Sequence, residues 1–375
     1  MAPIYLDYNA SAPIDPAVAA AMRPFLGEAF GNPSSGHWAS APAKAALEEA
    51  RTRIAALLGC GSDEVVFTSG GSEANNLALK GAFFALRHKG EHIITTQIEH
   101  PAIHGPCKFP ERLGATVTCL PVNGTGQVDP DEVRRAITPR TILISVTHAN
   151  NEVGTIQPVA EIGSLARERG ILFHTDAAQS VGKIPTDVET LRVDLLTIAG
   201  HKLYAPKGIG ALYVRRGVAL EPLIHGAGHE HGRRAGTESA LLALGLGAAC
   251  AFMRNLAPMA RVQALRDRFW EALQQRFGER VVLNGHPEHR LPNTLNTSFR
   301  NQVGGELLQR LDGVAASTGS ACHAGRIELS PVLKAMGVPA EIGIGAIRFS
   351  LGRATMEREI DNVLARIERI FETIV

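Results

Sequence analysis

The sequence predicts an α/β fold: a large domain built on a mostly parallel seven-stranded sheet, with a smaller α+β domain at the C-terminal end. Three observations carry that prediction. Short, nearly continuous apolar runs alternate with longer helix-like stretches, as expected of strands covered by helices on both faces. The segments that carry chemistry fall just after those runs, where open parallel sheets hold their ligands. Past about residue 255 the texture changes to a long amphipathic helix followed by isolated strands.

Taken in order, strands are expected at 65–68, 92–95, 116–120, 142–146, 171–174, 195–198 and 210–214, each a short run rich in Val, Ile, Leu, Phe or Thr. Helices are expected at 73–88, 129–136 and 160–169, where apolar positions recur at helical spacing. The later part offers a helix at 259–277, strands at 294–299 and 347–351, and a last helix at 357–371. The large domain is drawn at 15–255, with 1–14 and 256–375 forming the small one.

Bulk properties narrow the function. A chain of 375 residues is long enough for two domains with a well-buried core. Its 45% apolar and 20% charged content is ordinary for a globular enzyme. With 38 basic and 37 acidic residues, nothing argues electrostatically for nucleic acid or an anionic membrane. No apolar run approaches the roughly 20 residues of a membrane span. The chain meets Asp7 before the apolar core of a secretory leader can form, so none is expected. The 5 cysteines are widely spaced and include no CxxC pair, which suits a reducing, cytoplasmic setting rather than a disulfide framework or a zinc site. His225, His229 and His231 sit in a glycine-rich loop, and no metal is expected there.

Two segments suggest one chemical machine. Asp176 ends His174-Thr175-Asp176, and Lys202 follows 26 residues later in Gly200-His201-Lys202. A lysine for a Schiff base and an acid that keeps a pyridine nitrogen protonated suit pyridoxal 5'-phosphate. Lys183 and Lys207 compete by residue type, and Asp176 also reads as a cap for a helix starting at Ala177. Gln179 is placed to reach the cofactor's phenolic oxygen. His100, just after the run 92–95, can stack on the ring and move protons, or pair with Glu99 as a loop histidine. Gly70-Gly71-Ser72 opens a helix after a strand, where backbone N–H groups can take a phosphate; the alternative is a glycine turn capped by Ser72. Neither GxxxxGK[ST] nor GxGxxG occurs, so an ATPase or a dinucleotide enzyme is not expected. Far downstream, Cys322 closes the small-residue stretch 317–322, where a thiol is free to collect what the cofactor loosens. The leading reading is sulfur removal from cysteine.

Further motifs then fall into line. They are Tyr5-Leu6-Asp7-Tyr8-Asn9-Ala10, Gly31-Asn32-Pro33-Ser34-Ser35, His148-Ala149-Asn150-Asn151-Glu152-Val153-Gly154 and Arg234-Ala235-Gly236-Thr237-Glu238. With the stretches at 174–182, 200–202, 317–322 and 348–353, they resemble the cysteine desulfurases of the class V aminotransferase family, over nearly the whole chain. The resemblance implies pyridoxal-phosphate fold type I and a homodimer. It implies Lys202 as the Schiff-base lysine, Asp176 on the pyridine nitrogen, Gln179 on the phenolic oxygen and His100 stacked on the ring as acid/base. Gly71, Ser72 and His201 would hold the phosphate, joined by the partner subunit's Thr237. Asn151 and Arg348 would bind the substrate carboxylate, which arginine's planar fork suits.

The same resemblance implies a cycle in which Cys322 takes the sulfur of L-cysteine as a persulfide and alanine leaves. The persulfide would pass to an acceptor such as an iron–sulfur scaffold or a tRNA-thiolation protein. The segment from Cys322 to Leu333 looks like the longer-loop type of these enzymes. Four positions depart from the family pattern: Ala199 stands where many members have a phosphate-binding serine, Gly71-Ser72 replaces Ala-Thr, and Pro101 follows His100. Selenocysteine lyase, acting on L-selenocysteine, is the alternative with similar motifs. A non-catalytic scaffold is disfavoured because Lys202 and Cys322 are both present.

Overall fold

The computed structural model describes residues 3–318, 322–323 and 326–372, with 322, 323, 326 and 327 described by their backbone alone. Its central sheet has seven strands, in the order Val65–Thr68, Gly210–Val214, Leu195–Ala199, Leu172–Asp176, Thr141–Ser145, His92–Thr96 and Thr116–Leu120. Only Gly210–Val214 runs against the rest, antiparallel to both of its neighbours. The remaining pairings are parallel. Each strand lies within two residues of its expected position.

The period-two alternation of a strand sends neighbouring residues to opposite faces, and here both faces are dry except along the edge strand Thr116–Leu120. Phe67, Ile94, Ile144, Phe173 and Leu196 join one apolar cluster, while Val66, Ile93, Leu143, Leu195 and Leu212 join another. With no wet face elsewhere there is no polar alternation to read, which is why these strands appear as unbroken apolar runs.

Three long helices were not anticipated. Ala41–Leu58 and Ala240–Met253 meet closely, since a Cβ added at Gly247 would lie 2.5 Å from Ala50 Cα. Ala240–Met253 is apolar nearly all round, so it carries no helical stripe to recognise. Pro101–Glu111 holds Pro106 and Pro110 inside, residues that ordinarily argue against a helix.

A second sheet is antiparallel, with Thr294–Phe299 between Val281–Asn284 and Ala346–Ser350. Its core unites Phe299 and Phe349 with Phe269 and Ile367 of the helices Ala257–Phe277 and Glu357–Glu372. Ile4 and Leu6 are buried in that same cluster, and Ile4–Tyr5 pairs in parallel with Val314–Ala315. This anchorage carries Asp7, Asn9 and Ala10 to the carboxyl ends of the central strands. No single helix among the described residues is long and apolar enough to cross a membrane.

Candidate active site

The segments leaving the carboxyl ends of the parallel strands converge on one cleft of about 400 Å³, a size typical of small-molecule sites. Gly71, Ser72, His100, Asn151, Asp176, Gln179, His201, Lys202 and Arg348 all line it. Thr237 does not; it lines a separate cleft with Ser69, Arg234 and Glu238. Cys322 lies in a two-residue strand opposite Ile327, and its side chain is outside the described residues.

Asp176 ends the strand Leu172–Asp176 and is 6% exposed. Its Oδ2 accepts from Asn75 Nδ2 at 2.8 Å, and its Oδ1 accepts from the Ala178 N–H at 2.9 Å. The capping geometry is therefore present, but over a turn; no helix starts at Ala177. Two donors hold the carboxylate in one orientation. Asn75 escaped the sequence reading, although a buried asparagine one turn into a helix is the kind of residue that needs a partner.

Lys202 sits in the single turn Gly200–Lys202 that follows Leu195–Ala199. Two residues on, Tyr204 adopts a left-handed φ of 64°, unusual for a side chain of its size. Its hydroxyl accepts from the Arg353 N–H at 2.8 Å, which helps to secure the turn. Lys202 Nζ donates to the carbonyls of Asn9 at 2.5 Å and Ala10 at 2.9 Å. Burial foremost, then the Arg348 cation, lowers its pKa to about 8, with Asp176 and Asp7 pulling the other way. At pH 7 the neutral amine then makes up about one molecule in ten, against about one in three thousand for a solvated lysine. Neighbouring His201 is lowered to about 4 by burial and by Lys202 and Lys207, so it is neutral.

His100 caps the helix Pro101–Glu111 by accepting the Ala102 N–H at Nδ1, 3.0 Å away. A neutral ring must then carry its proton on Nε2. Desolvation lowers its pKa; Asp176 opposes that shift and Lys202 adds to it. The pairing with Glu99 does not form. Glu99 turns inward, where its Oε1 accepts from Thr96 Oγ1 at 2.7 Å and the Thr147 N–H at 2.9 Å.

Arg348, on the strand Ala346–Ser350, donates from Nη1 to the Asn151 carbonyl at 3.0 Å and from Nη2 to Asp7 Oδ1 at 2.8 Å. Its Nε has no partner among the described residues. Ser317 exchanges two backbone hydrogen bonds with Arg348, at 3.2 and 2.7 Å. The stretch leading to Cys322 thus departs from beside the arginine.

At the other end of the cleft, Gly70 adopts a φ of 152°, which side-chain-bearing residues rarely do. The helix Gly71–Leu86 follows with no side-chain cap, so Ser72 does not play that part. Its first backbone N–H groups are available to an anion. A Cβ at Gly71 would come within 3.1 Å of the Ala199 Cβ, so these two departures from the family pattern touch each other. Glu73 accepts the Ser69 N–H at 2.7 Å and pairs with Arg234 at 2.9 Å, tying the Thr237 stretch to the helix start. The other four cysteines are free thiols, and burial raises the pKa of each; Cys60, Cys107 and Cys250 reach about 12. Thiols so shifted are poor nucleophiles.

A lysine, an acid and an uncapped helix start, meeting at the carboxyl edge of a mostly parallel sheet, define the fold type I class. The chain belongs to the aminotransferase class-V family, whose description matches residues 4–363. It is 48% identical to the cysteine desulfurase IscS of Dictyoglomus turgidum, over 98% of this chain and 94% of that protein. Among solved structures, a NifS-like protein superposes with a TM-score of 0.93 at 36% identity, covering 99% of this chain and 100% of that one. SspA in complex with cysteine superposes with a TM-score of 0.85 at 38% identity, covering 94% and 100%.

Proposed function

We propose that this chain is a cysteine desulfurase, converting L-cysteine to L-alanine with transfer of sulfur to Cys322. The observation that carries it is the convergence of Lys202, Asp176, His100 and Arg348 on one cleft, from whose arginine strand the stretch to Cys322 departs. The names of its relatives favour L-cysteine over L-selenocysteine, so a selenocysteine lyase is not carried further.

The residues fit pyridoxal 5'-phosphate: an amine of lowered pKa, a fixed carboxylate, an amide and an uncapped helix start share one cleft. When bound, that cofactor supplies an electron sink for bonds at the substrate's α-carbon. Lys202 would be its covalent anchor, Asp176 would hold the pyridine nitrogen and Gln179 the phenolic oxygen. Gly71, Ser72 and His201 would hold the phosphate.

The chain's own groups do the rest. Arg348 binds the substrate carboxylate through the Nη2 now shared with Asp7, with Asn151 alongside. Lys202 in its neutral form accepts the α-proton. His100 exchanges protons with the cleft only through Nε2, because Nδ1 is committed to Ala102. Cys322, as a thiolate, attacks the substrate sulfur: the S–S bond forms as the C–S bond breaks, and the electron pair stays with carbon, which takes up a proton. The balance is one thiol plus L-cysteine giving one persulfide plus alanine. The persulfide then passes to an acceptor protein, such as an iron–sulfur scaffold.

Thr237, in a cleft of its own, is read as serving the partner's site in a homodimer. Residues 15–255 and 1–14 with 256–375 are read as the two domains, supported by one apolar cluster drawn only from the first and one only from the second, with a smaller cluster of Ile98, Val153, Val332, Leu333, Met336 and Ala346 joining them. The four free cysteines support a cytoplasmic setting. The test is alanine release from L-cysteine and L-selenocysteine by the cofactor-loaded protein under anaerobic, reducing conditions. Cysteine turnover that collapses in Cys322→Ala is expected. Turnover of selenocysteine alone, surviving the substitution, would overturn the reading.

A further inference from the structure

Lys183 is 7% exposed and forms no ion pair among the described residues. Its ammonium instead donates to two amide oxygens, Gln179 Oε1 at 3.0 Å and Asn9 Oδ1 at 3.3 Å. In its charged form a lysine only donates, so this contact then decides which end of the Gln179 amide is oxygen. Gln179 Nε2 is thereby turned to the Asn9 carbonyl at 2.9 Å, leaving its second N–H for the cleft that Gln179 lines.

Asn9 ties this arrangement to the rest of the site. It is 1% exposed, and its carbonyl also accepts from Lys202 Nζ. Its Nδ2 donates to the Asn151 carbonyl at 3.2 Å and Thr294 Oγ1 at 2.8 Å, while Oδ1 accepts from Asn293 at 2.9 Å. Lys183, Gln179, Lys202 and Asn151 therefore share one buried polar network.

We propose that Lys183 is a positioning residue for this reaction: it locks the Gln179 amide with an N–H toward the cleft and, through Asn9, steadies Lys202. The inference rests on the cofactor reading given above.

Electrostatics add a second handle. The groups facing Lys183 are the cations Lys202 and Arg348, with Tyr8 and Tyr204 beside it in a small void that Lys202 also lines. Asp176 and Asp7 act on Lys202 in the opposite sense, raising its pKa. Burial foremost, then the two cations, lowers Lys183 to about 7. A charged Lys183 and a charged Lys202 thus oppose each other.

The test compares wild type, Lys183→Met and Lys183→Arg as cofactor-loaded proteins. Three quantities are read: the cofactor dissociation constant, the pH midpoint of the visible absorption band, and the melting temperature. Lys183→Met should weaken cofactor retention about tenfold, the worth of one misdirected hydrogen bond. It should leave the midpoint near the wild-type value, because Lys183, lowered to about 7, is already largely neutral where Lys202 at about 8 titrates. Lys183→Arg remains donor-only and permanently charged, so it should keep retention within about twofold and move the midpoint downward.

A methionine variant with wild-type cofactor retention, whatever its melting temperature, would overturn the proposal. So would an arginine variant that loses cofactor as the methionine one does. Should Lys183→Met not fold, the midpoint of Lys183→Arg decides alone. A wild-type protein that takes up the cofactor without any visible band would fail the cofactor reading, and this inference with it. A wild-type band untouched by either substitution fails only this inference.

Discussion

Replacing Glu99 by glutamine isolates one buried acid beside the cleft. Glu99 is 4% exposed, and its Oε2 has no partner among the described residues. Burial foremost raises the carboxyl to about 8 from an ordinary 4.5, and the charge of Asp176 adds to the shift. Above pH 4.5 the unfolded chain gives up this proton while the folded protein keeps it. Stability from this group is therefore fully present at low pH and is lost as pH rises towards 8. From pH 5 to pH 8 the linkage spans about 2.6 pH units at about 1.36 kcal/mol each, or about 3.5 kcal/mol. Glutamine cannot titrate, yet keeps the oxygen that Thr96 and Thr147 address. The stability of Glu99→Gln relative to wild type should thus rise by about 3.5 kcal/mol across that range. For a chain of this length, an unfolding entropy of about 0.8 kcal/mol/K makes that a relative gain of about 4–5 °C in Tm. Paired thermal melts through a pH series measure it, and other titrating groups cancel in the difference. A difference flat to within about 1 kcal/mol would show that Glu99 is ionised in the fold, and the burial argument would be wrong.

Other substitutions separate the parts of the site. Asp176→Asn keeps the shape but removes the charge, and kcat/KM should fall about 100-fold or more, read by steady-state alanine formation. Arg348→Lys gives up the planar fork, so KM for cysteine should rise about 10- to 100-fold with a smaller change in kcat. Arg51→Ala should cost about 3–5 kcal/mol and lower Tm by about 4–6 °C, because it leaves Glu230 buried without a counter-charge. Arg51 donates to both Glu230 oxygens at 2.8 and 2.6 Å and lies 4.7 Å above the Phe67 ring. Unchanged melting would mean that water already reaches that pair.

The parts of the molecule legible from sequence are those whose cause is local. The central strands announce themselves because both of their faces are buried, and Asp176, Lys202 and His100 stand out because each follows such a strand. What stayed hidden depends on contacts between distant parts of the chain. Asn9 meets Gln179 across 170 positions and Lys202 across 193, and nothing near Asn9 signals either. Lys183 reads by type as a rival nucleophile, whereas the fold gives it only amide oxygens to address. Glu99 precedes His100 and invites a pairing, but the backbone turns the two side chains to different partners. Pro101–Glu111 was missed because its internal prolines argue locally against the helix that tertiary packing supports.

The central claim, that Cys322 receives the sulfur, is tested most directly by peptide mass spectrometry after a single turnover. The cofactor-loaded protein is mixed with one equivalent of L-cysteine without reductant, alkylated and digested, and alanine is quantified in parallel. The account predicts one added sulfur atom on the peptide holding Cys322, in step with one equivalent of alanine. Alanine formed while Cys322 stays unmodified, with the sulfur on Cys60, Cys107, Cys119 or Cys250 or released as sulfide, would contradict it.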